Sequence, residues 1–64
     1  MTQNAQILAH LKAGKRITPL DALREYGCFR LGARIFELKA EGHNILKEMI
    51  ETDSGKRVAE YRMG

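Results

Sequence analysis

The first apolar positions, Ile7, Leu8 and Leu11, recur at i, i+1 and i+4, while Gln3, Gln6, His10 and Ala13 fall on other faces. This spacing predicts an amphipathic helix over residues 4–13. Thr2 or Asn4 offers the side-chain oxygen that caps its first free N–H groups, and Gly14 ends it. Lys15, Arg16 and Ile17 then read as a short extended link. Thr18-Pro19-Leu20-Asp21 opens a second helix: threonine caps, proline takes the first helical position, and the Asp21 carboxylate suits the positive end of the helix dipole. It runs through Leu20 and Leu23 and stops at Tyr26-Gly27. Two turns are too few to hold as an isolated helix, so it must dock on its neighbours.

Leu31, Ile35 and Leu38 repeat at i, i+4 and i+7 and define a third helix from about residue 29 to 41, ended by Gly42. With the centre of that stripe as zero, Arg30 and Arg34 lie roughly 110° and 70° to one side, and Glu37 and Glu41 lie beside them. One flank of the helix is therefore charged. After His43, residues 44–52 and 56–63 are rich in Ile, Val, Tyr and Met, and Asp53-Ser54-Gly55 between them has turn chemistry, which predicts a β-hairpin. In its second arm Ala59, Tyr61 and Met63 form the better inward face. The first arm leaves its register open, because Ile45/Met49 and Leu46/Ile50 are both apolar alternates.

Sixty-four residues leave room for one core, so the chain reads as one domain over residues 1–64 and not as a multi-domain enzyme. With 44% hydrophobic and 30% charged residues it lies in the globular range and away from the compositions that stay disordered. No apolar run approaches a membrane span and the first residues lack a signal-peptide layout, so a cytoplasmic protein without a membrane partner is expected. The one cysteine, Cys28, cannot form an internal disulfide, and neither His10 nor His43 has a ligand at a familiar zinc spacing. No metal and no cofactor is therefore expected. Catalysis is not expected either: the only serine, Ser54, lies on the hairpin turn, no glycine loop could cradle a phosphate, and no small-molecule substrate is implied. The formal charge of +3 suits a polyanionic partner.

The order of elements, an α+β arrangement that is mainly α with three helices and a C-terminal hairpin, resembles a winged helix-turn-helix domain. At the level of residues it is similar to the small domains of this type found in bacteriophage and prophage proteins. The stretches that carry the likeness are Gln6-Ile7-Leu8, Ile17-Thr18-Pro19-Leu20, Leu23 with Tyr26-Gly27-Cys28, and Arg30-Leu31 with Ala33-Arg34-Ile35. Leu38, Gly42, Gly55-Lys56-Arg57-Val58 and Tyr61-Arg62 complete it. The resemblance implies double-stranded DNA binding, with the third helix in the major groove and the hairpin as a wing on the backbone. It implies a phage or prophage transcription regulator working in the cytoplasm of a bacterial host, associated with the nucleoid when bound.

DNA carries about one negative charge per 1.7 Å of axis, so affinity depends on how many phosphates one connected face can neutralise. Arg30 and Arg34 are four apart and project from adjacent turns, and each guanidinium can grip guanine O6 and N7 or a phosphate. A solvated flank with Arg34 paired to Glu37 explains the same letters. Lys56 and Arg57 after the turn, with Lys47 on the other arm, form a candidate wing contact, although cations at a hairpin tip also keep edges from pairing. Thr18 and the N–H groups of its helix are candidates for a phosphate, and a plain cap is the simpler reading of Thr18. Lys12, Lys15 and Arg16 form a basic cluster without an assigned role.

Gly32, inside a helix, suggests close approach of a backbone, either a neighbouring element or DNA. Phe36 lies roughly 130° from the buried stripe, too far round for the core, so it covers the base of the wing or anchors a partner. Cys28 reads as a small apolar filler before the third helix. A module of this size buries only about 600–1,000 Å² on DNA, which calls for a homodimer, cooperative neighbours or a larger nucleoprotein assembly. Two other readings share the same scaffold: a protein-interaction module anchored on Phe36, such as a host-factor antagonist or assembly component, and an architectural factor that bends DNA for excision or packaging.

Overall fold

A computed structural model describes residues 2–64. The order is α1 (Gln3–Lys12), α2 (Pro19–Tyr26), α3 (Leu31–Ala40), β1 (Ile45–Glu51) and β2 (Arg57–Met63), the three helices and hairpin expected from the pattern. Thr2 caps α1, its Oγ1 accepting from Ala5 N at 3.1 Å. Thr18 caps α2 in a reciprocal box: Thr18 Oγ1 accepts from Asp21 N at 3.2 Å, and the Asp21 carboxylate accepts from Thr18 N at 3.1 Å. Gly27 closes α2 with φ +64°, a conformation in which a side chain would clash with its own backbone.

The third helix is shorter than the periodicity predicts. It starts at Leu31, with Arg30 as its N-cap in a non-helical conformation (φ −127°, ψ 62°), so Phe29 lies outside it. The reason is the preceding turn: Gly27 N donates to Leu23 O and Cys28 N to Ala22 O, and the chain must then leave this αL closure before it can wind again.

Ile7 and Leu11 of α1, Ile17, Ala22 of α2, Cys28, Leu31, Ile35 and Leu38 of α3, Ile45 of β1 and Tyr61 of β2 form one buried cluster. Leu8, Tyr26, Ala59 and Met63 pack against it. The α3 stripe and the inward face of β2 are thus as the spacing predicts. The open register of β1 resolves as Ile45 opposite Met63, Lys47 opposite Tyr61 and Met49 opposite Ala59, which puts Ile45 on the core side and Leu46 and Ile50 on the other. Ile17 exchanges two backbone hydrogen bonds with Tyr61, at 2.9 and 2.8 Å, and so covers part of the free edge of β2.

His10 departs from the sequence reading. It is buried, because its ring reaches between α2 and the link before Ile17 and finds a polar partner for each nitrogen. Periodicity assigns a polar residue to the outside, whereas a satisfied polar group can be buried.

Candidate nucleic-acid interface

The turn after Gly27 delivers Phe29 and Arg30 to the surface at the start of α3. Phe29 borders an open apolar groove of about 410 Å³ together with Leu20 and Leu23 of α2, Ile50 and Thr52 of the first arm and Val58 of the second. Cys28, a free thiol that is itself buried, lies along this groove. The groove brings the N-terminal end of α3 beside the outer half of the hairpin. Thr52 N donates to Lys56 O at 2.8 Å across the turn, so Lys56 and Arg57 extend from that same end of the ribbon. Two stretches far apart in sequence, the turn before α3 and the outer half of the hairpin, thereby border one groove. Nothing local in the sequence announces this, because the distance between α2 and the outer half of the hairpin is set by the docking angle.

The cations of α3 and the hairpin differ in how free they are, and the ladder sends Lys47 to the face of Tyr61, opposite to that of Ile50 and Val58. Arg30 is exposed and makes no ion pair among the described residues, as do Lys47, Lys56 and Arg57. Arg34 is engaged: its Nη1 lies 3.0 Å from Glu37 Oε1, an i,i+3 pair on the α3 surface. Asn4 Nδ2 donates to the same oxygen at 3.4 Å, so α1 helps to hold Glu37 beside Arg34. Both partners stay substantially exposed, and such a pair contributes at most about 1 kcal/mol, little enough to be exchanged for a phosphate. Thr18 is occupied as the cap of α2, with the Asp21 carboxylate already over that helix end.

Arg16 pairs with Glu60 at 3.1 Å and Arg62 with Glu48 at 3.2 Å. Glu48 and Glu60 sit directly opposite each other in the ladder, and each arginine offsets the repulsion of that like-charged pair. Arg16 and Arg62 thus serve the ribbon.

Phe36 does not cover the base of the wing. It is 74% exposed and borders a shallow depression of about 380 Å³ on the outer side of α3 with Arg30, Ala33, Arg34 and Glu37. The reason is angular: Phe36 points away from the Leu31/Ile35/Leu38 stripe, and the hairpin docks elsewhere. Gly32 meets no neighbouring element, since a Cβ there would have no heavy atom within 4 Å. The expected approach of a neighbouring element to Gly32 is thus absent among the described residues.

No helix among the described residues is long and apolar enough to cross a membrane, and no group of three or more His, Cys, Asp or Glu among them could hold a metal ion. No curated protein and no solved structure matches the chain significantly. The family model for the winged helix-turn-helix domain matches residues 2–64, nearly the whole length. Its helices, glycine-closed turn and C-terminal antiparallel hairpin agree with that match, and the chain belongs to the winged helix-turn-helix domain family.

Proposed function

We propose that this protein binds double-stranded DNA as a phage or prophage transcription regulator, with α3 in the major groove and the wing on the phosphate backbone. Membership of a winged helix-turn-helix family suggests DNA binding, and such families are typically non-enzymatic. The observation that supports the reading is that Phe29, next to an Arg30 with no ion pair among the described residues, borders one groove with Ile50, Thr52 and Val58 of the hairpin. Arg30 at the start of α3 suits a guanine edge or a phosphate, because the N-terminal residues of a recognition helix reach deepest into the groove. Arg34 joins once a phosphate displaces Glu37. Lys56 and Arg57 neutralise backbone phosphates, and Lys47 extends that contact. Thr18 adds its hydroxyl at the edge of the footprint. The protein works in the cytoplasm of a bacterial host, as a dimer or in a larger nucleoprotein assembly, because one module covers too little DNA for specificity in a genome.

Selection from a random duplex library followed by salt titration of the selected site tests this. A defined motif and a log–log salt slope near −4 to −5, about five phosphates, are expected. Arg30→Ala relaxes the motif, whereas Lys56→Ala weakens all sequences alike. A flat salt response on every duplex would overturn the proposal, and binding without a motif would leave an architectural role in its place.

A further inference from the structure

We infer that the outer face of α3 reads thymine, through an apolar seat formed by Ala33 and Phe36 for the C5-methyl group; this rests on the DNA-binding reading above. The buried stripe of α3 is Leu31, Ile35 and Leu38. At roughly 100° per residue, Ala33, Phe36 and Ala40 project from the opposite side of the helix, spaced by three and four. All three are exposed, and Phe36 is exposed to 74%. The outer face of the helix therefore carries Ala33 and Ala40 along its centre, with Phe36 to one side and Glu37 about as far to the other.

Thymine alone among the four bases carries a methyl group in the major groove, and alanine and phenylalanine are residue types that pack on it. Thymine O4 is an acceptor like those of the other bases, so the methyl group is what an apolar seat gains, whereas at guanine, adenine or cytosine the seat meets polar groups with no methyl in return. The seat thus both favours thymine and disfavours its competitors.

The surroundings fit a base edge better than a protein surface. Ala33 and Phe36 border the depression of about 380 Å³ whose other walls are Arg30, Arg34 and Glu37. Arg30 is unpaired among the described residues and stands ready for the phosphate or guanine beside the thymine. Glu37 is turned onto Arg34 and Asn4, which reduces the repulsion its carboxylate would exert on DNA. Gly32, with open space where a side chain would be, lets the helix backbone sink toward the bases. Phe36 and Ala33, bordered by Arg30 and by the Arg34–Glu37 pair, make a small apolar area whose one unpaired charge is positive, which complements a methyl group beside a phosphate.

The test uses the duplex selected from the random library. Each thymine in it is replaced in turn by deoxyuridine, which removes only the methyl group, and affinity is measured by fluorescence anisotropy. At one or two adjacent positions the loss should be about fourfold per methyl, the ratio that ~0.8 kcal/mol of buried methyl represents. Phe36→Ala, at an exposed position, should keep the far-UV circular dichroism and the salt slope while abolishing the difference between thymine and uracil duplexes. Salt-dependent, motif-specific binding with no uracil effect at any position would overturn this inference and leave DNA binding intact. Absence of salt-dependent binding to any duplex would instead overturn the underlying reading, and with it this one. A Phe36→Ala variant that loses self-association in sedimentation, yet still discriminates thymine from uracil, would overturn the seat and mark the face as a protein contact.

Discussion

The Nδ1 atom of His10 lies 2.7 Å from the Tyr26 hydroxyl, with the two rings edge to face at a centroid separation of 5.7 Å. The other ring nitrogen, Nε2, is 2.8 Å from the carbonyl oxygen of Arg16. A carbonyl can only accept, so Nε2 carries a hydrogen, and in the neutral ring the Tyr26 hydroxyl donates to Nδ1. One imidazole thus ties α1 both to the last turn of α2 and to the link that leads into Ile17. These are the elements that place the helix-turn-helix unit on the sheet.

Tyr26→Phe removes that donor and leaves Nδ1 without a partner in a buried position. The expected loss of stability is about 1–3 kcal/mol, the penalty for an orphaned buried polar group, measured as a shift of the urea midpoint at unchanged slope. A shift no larger than that of an exposed tyrosine-to-phenylalanine change would show that the bond contributes nothing.

Burial, and secondarily the negative charge of Glu25, raises the pKa of the Tyr26 hydroxyl above its ordinary value of 10.0. At alkaline pH the unfolded chain ionises before the folded one, so the folded state holds the proton more tightly. The stabilisation is complete below the unfolded pKa and is lost as pH rises through the folded one. Stability should therefore decline above about pH 10. In Tyr26→Phe this part of the alkaline loss should be absent when denaturation midpoints of the two proteins are compared across that range.

Gly32 occupies a helical position where a Cβ would touch nothing among the described residues. Gly32→Ala should raise stability by about 1 kcal/mol, because alanine loses less backbone freedom on folding. The same methyl group stands on the side of α3 proposed to approach DNA, so affinity for the selected duplex should fall while the melting temperature rises. Opposite signs for the two measurements in one variant distinguish a functional glycine from a tolerated one.

Glu37→Gln releases Arg34 from its 3.0 Å ion pair and removes a carboxylate from the proposed interface. Affinity for duplex DNA should increase, and the salt slope should steepen by about 1 as Arg34 gains a phosphate. Folding stability should change by less than about 1 kcal/mol, since the pair is exposed. Weaker binding in this variant would show that Glu37 itself contacts DNA, for instance at a cytosine amino group.

The helix starts and stops were legible because they depend on neighbours within four residues. Thr18, Pro19 and Asp21 build a capping box from adjacent letters, and Gly27 and Gly42 supply the positive φ that ends a helix. The α3 stripe and the inward trio of β2 follow from periods of 3.6 and 2, which also need no knowledge of the rest of the chain. Of the interface, the types and approximate positions of the cations could be read in the same way. Their freedom could not, since Arg34 and Glu37 pair or part according to side-chain placement, to which Asn4 of α1 contributes.

What the amino-acid order determined by itself is therefore the succession of elements, their caps and their apolar faces, because these arise from interactions along a local stretch of chain. Only the tertiary structure decided that His10 is buried, that Ile45 and not Leu46 meets the core, that the hairpin leaves Phe36 uncovered, and that Phe29 and Thr52 border one groove. Each of these depends on the distance and angle at which separate elements dock. Packing of the whole core fixes that geometry, and no window of neighbouring residues contains it.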